Sequence, residues 1–219
     1  MTVTSQKIFT TIPMFITFEG PEGSGKTSQL PALAEYLSQI GYDVLTTREP
    51  GGTPIGDQIR AVLLDNKNTT MQPRTEILLF QASRAQLVDQ IIQPHLEKGG
   101  IVLCDRYADS TLAYQGYGYG RDIEELSAII RFATNDLEPD LTLLLDVDVE
   151  TGLLRRNTAG DINRLDAYNL DFHRRVREGY HQLAQADPER WVVVNASQPA
   201  DVVQEEIRKI VSQRLHSEG

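Results

Sequence analysis

The chain has 219 residues, 40% hydrophobic and 24% charged, the profile of an ordinary globular protein with one sizeable core or at most two small ones. Its net charge of −10 argues against a general nucleic-acid-binding surface, which needs basic patches, but not against a small phosphorylated ligand held by a few arginines. The single cysteine, Cys104, lies in an apolar run and reads as core, and no stretch approaches the ~18 apolar residues that span a membrane.

Residues 1–13 lack the charged start and apolar middle of a secretory signal and are expected to form a loose arm of a cytoplasmic protein. No internal repeat or long low-complexity linker interrupts the remainder, so 14–219 reads as one domain. It opens with Met14, Phe15, Ile16, Thr17 and Phe18, an apolar run suited to a buried parallel strand. Gly20-Pro21-Glu22-Gly23-Ser24-Gly25-Lys26-Thr27 then spells G-x-x-x-x-G-K-T, and an amphipathic helix is expected from there to about Ile40. Strand, glycine-rich turn and helix in that order make a phosphate cradle. Gly20, Gly23 and Gly25 permit a tight turn with inward N–H groups, and the helix N-terminus adds positive partial charge. Lys26 reaches phosphate, the Thr27 hydroxyl suits Mg²⁺, and Ser28 closes the candidate ATP-binding stretch.

Gly41 marks the end of the helix, and 42–47 reads as a second strand, followed by the loop Arg48-Glu49-Pro50-Gly51-Gly52-Thr53 at the strand edge where open α/β sheets bind ligands. Short and long helices are expected over 55–64 and 75–96, the second with an apolar stripe of Ile77, Leu78, Phe80, Leu87, Val88, Ile91 and Ile92. A third strand, 101–104, ends at Asp105-Arg106-Tyr107. Helix 122–134, strand 141–147, helix 150–157, polar loop 158–164, helix 167–185, strand 191–194 and helix 200–214 complete the chain. Strands separated by helices imply a three-layer P-loop NTPase fold of the α/β class, a five-stranded parallel sheet flanked by helices.

Asp105, ending an apolar strand after a phosphate loop, is a candidate metal ligand, although a strand-end carboxylate also caps turns. Arg106 beside it is placed to grip phosphate in a bidentate manner. Phe80 and Arg84, four residues apart, share a helix face, and Phe80 by itself also reads as core packing.

Three co-linear segments now carry a specific resemblance. The loop Gly20–Thr27, the loop Arg48–Thr53, and Asp105-Arg106-Tyr107 with Ser110-Thr111 and Tyr114-Gln115-Gly116 are together similar to thymidylate kinases, and the likeness runs from about Met14 to the last helix. The resemblance implies transfer of the ATP γ-phosphoryl to dTMP in dTTP biosynthesis, with Mg²⁺ held at Thr27 and Asp105, in a cytoplasmic homodimer. It implies that Glu22 lies near the sugar 3′-hydroxyl, that Phe80 stacks on the pyrimidine and that Arg84 hydrogen-bonds it. Arg48 and Arg106 would lie near the monophosphate and Thr111 and Gln115 near the base edge, with Glu49, Pro50 and Ser110 also binding dTMP. Tyr114 would crowd the 2′ position and favour deoxyribose. The mobile lid would be 151–166, of the bacterial type that supplies arginines the phosphate loop lacks. Arg155, Arg156 and Arg164 are the candidates, with Arg156 favoured for the phosphoryl contact; surface ion pairs are the alternative use of Arg155 and Arg156. Asn163, Asn157 and Ala159 depart from the family pattern there.

Rival readings are a kinase of another monophosphate such as UMP or CMP, a nucleotide-binding protein without catalysis, and a regulatory GTPase. The last needs Asn-Lys-x-Asp, and here Asn66-Lys67 continues as Asn68-Thr69. A dimer face is expected from the 75–96 stripe.

Overall fold

β1 (Met14–Glu19) is buried along its whole length because it is flanked on both sides, by β3 (Ile101–Asp105) and by β4 (Leu141–Asp146), both parallel to it. β2 (Val44–Arg48) and β5 (Trp191–Asn195) complete a five-stranded parallel sheet in the order β2-β3-β1-β4-β5. This computed structural model describes residues 12–160 and 164–217. Most of the expected arm, and residues 161–163 of the expected polar loop, lie outside the described residues; Ile12, at the arm's end, packs against the core.

Strand alternation divides β1 between two layers. Met14, Ile16 and Phe18 pack with Leu30, Leu33 and Leu37 of α1 (Lys26–Gln39) and with Val203, Ile207 and Val211 of α9 (Ala200–Ser217). Phe15 faces the other way, toward Leu87, Val88 and Ile92. Thr17 and Glu19 share the face of Phe15, so a strand otherwise made for burial ends in a carboxylate with no solvent exposure.

α2 (Pro54–Leu64) starts where Thr53 accepts the Gly56 N–H at 2.9 Å and Pro54 needs no donor partner. The long helix expected over 75–96 runs from Pro73 to Leu96 with two changes of pitch: α3 (Pro73–Leu87), a π-helical turn Val88–Ile92, and α4 (Gln93–Leu96). Pro94, just beyond the wide turn, has no N–H for an α-helical ladder. The stripe assigned to a dimer face is largely consumed inside the chain. Ile77, Leu87, Val88 and Ile92 are core, and Leu78 alone of the named residues stays strongly exposed, at 54%.

The sequence pattern missed α5 (Ala108–Thr111) and the π-helical segment Leu112–Gly118 that continues it. Gly116, Gly118 and the tyrosines 114, 117 and 119 around them hide the helical period there. α6 (Ile123–Thr134) is capped by Asp122, which accepts the Glu125 N–H at 2.8 Å. α7 (Val149–Ala159) is capped by Asp148 and continues past 157, shortening the polar loop expected from 158. A 3₁₀ turn at Arg164–Ala167 precedes α8 (Leu170–Ala186), whose cap is Asn169. The second strand begins at Val44 rather than Tyr42, and the last helix reaches Ser217.

Candidate active site

The C-terminal ends of β1, β2 and β3 meet at one edge of the sheet, and each delivers a motif there. After Glu19 the chain turns at Gly20, whose φ of 139° and closeness to the Leu145 carbonyl exclude any side chain. The turn leads into α1, with Gly25 as its left-handed cap, and the Gly25 carbonyl accepts the Ser28 hydroxyl at 2.8 Å. Lys26 is buried, and its Nζ donates to the carbonyls of Gly20 and Pro21, both at 3.0 Å, and to Ser24 Oγ at 3.1 Å. Burial and the nearby Arg106 guanidinium push this amine down to about 8, against the pull of Asp105, Glu22 and Glu19. A cation crowded in this way gains by meeting an anion.

The two candidate metal ligands, on different elements, are brought together: Thr27 Oγ1 donates to Asp105 Oδ2 at 3.2 Å. A hydroxyl and a carboxylate are both hard oxygen donors of the kind Mg²⁺ takes when phosphate completes its shell. Among the described residues no group of three or more His, Cys, Asp or Glu could hold a metal unaided.

Arg106 is the hub of the site. Its φ of 67° is a left-handed conformation, and its guanidinium turns back to the phosphate loop. Nη1 donates to the Gly20 carbonyl at 3.1 Å, Ser110 Oγ at 3.3 Å and the Tyr180 hydroxyl at 3.0 Å; Nη2 donates to Glu22 Oε1 at 2.9 Å and the Tyr114 hydroxyl at 3.1 Å. Tyr114 in turn donates to Glu22 Oε1 at 2.8 Å. Burial would raise the Glu22 carboxyl, but Arg106 and Lys26 outweigh it and hold it at about 2.

A cleft of about 1210 Å³ runs between these parts. It is lined by Glu22 to Ser28, by Arg48, Glu49 and Pro50, by Phe80 and Arg84, by Asp105, Arg106, Ser110, Thr111, Tyr114 and Gln115, and by Arg155 and Arg156 of α7. Gly20 and Pro21 stand behind it, holding Lys26. Arg84, 1% exposed, is saturated: it pairs with Glu49 through Nε and Nη2, at 2.6 Å for the closest contact, and donates to Gln81 Oε1, Thr111 Oγ1 and the Tyr107 carbonyl. A base-edge bond from Arg84 therefore means exchanging one of these partners. Gln115 donates to Glu76 Oε1 at 2.9 Å. Tyr114 and Gln115 both reach the cleft from the π-helical segment Leu112–Gly118.

Arg164, a lid candidate, is not brought to the cleft. Its Nη2 pairs with buried Glu76 at 2.5 Å, Nε donates to the Leu63 carbonyl at 3.0 Å, and Nη1 donates to the Tyr168 hydroxyl at 3.3 Å. It ties the turn Arg164–Ala167 to α2 and α3. Arg155 lines the cleft while donating to the Ala196 carbonyl at 3.0 Å, and Arg156 lines it within electrostatic reach of Glu22.

Two residues escaped the sequence reading. Arg60 lines the cleft from α2, its Nη1 donating to the Pro50 carbonyl at 2.8 Å; burial, then Arg48, and more weakly Arg156, disfavour its charge, while Asp105 and Asp57 support it. Three arginines at mutual reach suit a polyanion. The available signal was its place two turns into a helix that starts directly after the 48–53 loop. Glu19 is the other, and its signal was a lone acid closing a buried strand.

The thymidylate kinase family model matches residues 18–207. The chain is similar to the thymidylate kinase of Thermomicrobium roseum, 56% identical over 91% of this chain and 94% of that one, and to that of Roseiflexus sp. strain RS-1, 51% identical over 93% and 96%. The crystal structure of thymidylate kinase from Ehrlichia chaffeensis superposes with a TM-score of 0.76 at 37% identity, covering 90% of this chain and 98% of that one.

Proposed function

The chain belongs to the thymidylate kinase family, and from that premise we propose that its cleft transfers the γ-phosphoryl of ATP to the 5′-phosphate of dTMP, giving dTDP and ADP. The observation that carries the reading is the convergence of two anion-seeking constellations on one cleft: the glycine turn with Lys26, and the arginines 48, 60 and 106, the last of which reaches back to the turn at Gly20 and Glu22. The relatives that cover nearly the whole chain are thymidylate kinases too.

The acceptor is already dianionic near neutral pH, since the second pKa of a phosphate monoester is about 6, so no strong base is required. Positioning and charge neutralisation do the work. The turn's N–H groups and Lys26 hold the donor polyphosphate, and Arg106, Arg48 and Arg60 hold the acceptor phosphate for in-line attack. Arg156, with Arg155 beside it, neutralises the moving phosphoryl from α7 while the lid of about 151–166 excludes water. Thr27 and Asp105 would hold Mg²⁺, which supplies neutralisation of phosphate charge. Phe80 stacks on the pyrimidine, Thr111, Gln115 and Arg84 face its edge, and Glu22 takes the sugar hydroxyl. Residues 14–219 act as one kinase domain with that lid.

A homodimer is supported by Leu78 on α3 and Phe132 on α6, 54% and 88% exposed on helices that pack together. A cytoplasmic setting agrees with a lone buried cysteine, and no helix among the described residues is long and apolar enough to cross a membrane. The decisive experiment measures ADP release with ATP and Mg²⁺ against dTMP, dUMP, UMP and CMP. A clear preference for dTMP is expected; preference for UMP or CMP would overturn the acceptor assignment.

A further inference from the structure

On the reading that Arg106 grips the acceptor phosphate, we propose that Glu19 is the positioning residue that aims this guanidinium, acting through the hydroxyls of Ser110 and Tyr180. Glu19 has no exposure and no place in the cleft wall. Its Oε1 accepts the Tyr107 N–H at 2.7 Å, and its Oε2 accepts Ser110 Oγ at 2.6 Å and the Tyr180 hydroxyl at 2.8 Å. Those two hydroxyls are the same ones that Arg106 Nη1 donates to, at 3.3 and 3.0 Å.

A hydroxyl has one proton. Once each proton is committed to the carboxylate, the lone pairs of Ser110 and Tyr180 turn to Arg106, and the chain of donors runs one way, from guanidinium to hydroxyl to carboxylate. The other carboxylate oxygen pins the peptide that follows Arg106, holding its unfavourable φ of 67°. One buried side chain thus governs both the backbone and the head group of Arg106.

The substitution Glu19→Gln makes the logic testable. The Tyr107 N–H is an obligate donor, so the amide oxygen must face it, and the amide NH₂ then faces Ser110 and Tyr180. The two hydroxyls lie 2.9 Å apart and can take one proton between them, so the other is displaced toward Arg106, donor against donor. Kinetics are measured for wild type, E19Q, R106A, the double variant and Tyr180→Phe at about pH 7.5, above the Glu19 carboxyl's value of about 7 and below the Lys26 value of about 8. E19Q is expected to raise the KM for dTMP about tenfold while the KM for ATP stays within about twofold, with Y180F giving a smaller rise of the same kind. On the R106A background, E19Q should add nothing to the acceptor KM. An unchanged acceptor KM in E19Q, or the same factor with and without Arg106, overturns the positioning role and leaves the function of Arg106 standing. If R106A itself has a normal acceptor KM, the Arg106 reading falls and the inference with it. Should E19Q fail to fold, the cycle of Y180F with R106A decides by the same criteria.

Discussion

Gly152 and Gly23 meet backbone to backbone, and neither has room for a Cβ: one on Gly23 would strike the Gly152 carbonyl, and one on Gly152 the Glu22 carbonyl. The first turn of α7 is therefore seated on the phosphate loop itself. Arg155 and Arg156 follow Gly152 by three and four residues, so they emerge on the same helix face and into the cleft. The substitution Gly152→Ala should lift α7 from the loop and lower kcat at least tenfold, with dTMP affinity by calorimetry little changed. A normal kcat would mean that α7 needs no such seat.

Lys26 is held by three oxygens of its own loop and surrounded by charge that suits a polyphosphate. Lys26→Ala is expected to cost a hundredfold or more in kcat, read in a coupled ADP assay. Near-normal turnover would refute its phosphate role.

The three arginines proposed for the lid separate by position. Arg156→Ala should reduce kcat strongly, by roughly a hundredfold on the scale of a lost transition-state charge contact, without loss of thermal stability. Arg164→Ala should act through stability, because it strands the buried Glu76 carboxylate, at a cost of about 3 kcal/mol in urea unfolding. A large kcat loss in the Arg164 variant with unchanged stability would exchange these roles.

Tyr114 combines a ring in the cleft wall with a hydroxyl between Glu22 and Arg106. Tyr114→Ala should narrow the preference for dTMP over UMP by roughly tenfold in kcat/KM, as space opens beside the sugar. The same ratio in the Ala and Phe variants as in wild type would remove Tyr114 from sugar discrimination.

Glu22, partly buried, and Glu19, fully buried, give stability opposite slopes in separate pH windows. Glu22 falls from 4.5 to about 2, so its contribution is present above about 4.5 and is lost as pH drops toward 2. Glu19 is raised from 4.5 to about 7 by burial and by Asp109, against Arg106, so its contribution is present below 4.5 and is lost as pH rises through 7. Each shift corresponds to at most about 3 kcal/mol. Urea midpoints followed from pH 3 to 8 should show Glu22→Gln flattening the acid limb and Glu19→Gln flattening the upper one. Profiles superimposable on wild type would show that neither group titrates as its surroundings dictate.

Much of this was open to reading along the chain. Gly20–Thr27 is a local device: its spacing alone requires a strand before, a helix after and inward N–H groups between. The five strands were legible because parallel strands buried on both faces are short apolar runs, and Gly41 and Gly99 punctuate the helices between them. The helix at 108–118 was not legible, since its glycines and tyrosines mask the period. Arg164 was misleading for a related reason: an arginine in a lid-like segment carries no mark of the partner it will find, and Glu76 lies 88 positions away.

What the residues determine by themselves is the order of strands and helices and the chemistry each strand end offers, because hydrophobic period and turn geometry act over a few positions. Only the folded chain decides which of those offerings coincide. The sheet order sets β3 beside β1, which brings Asp105 to Thr27 and Arg106 to Glu22. Burial then turns Glu19 from an ordinary acid into the silent partner of Arg106, since a carboxylate's strength and its donors depend on what surrounds it and not on its neighbours in sequence.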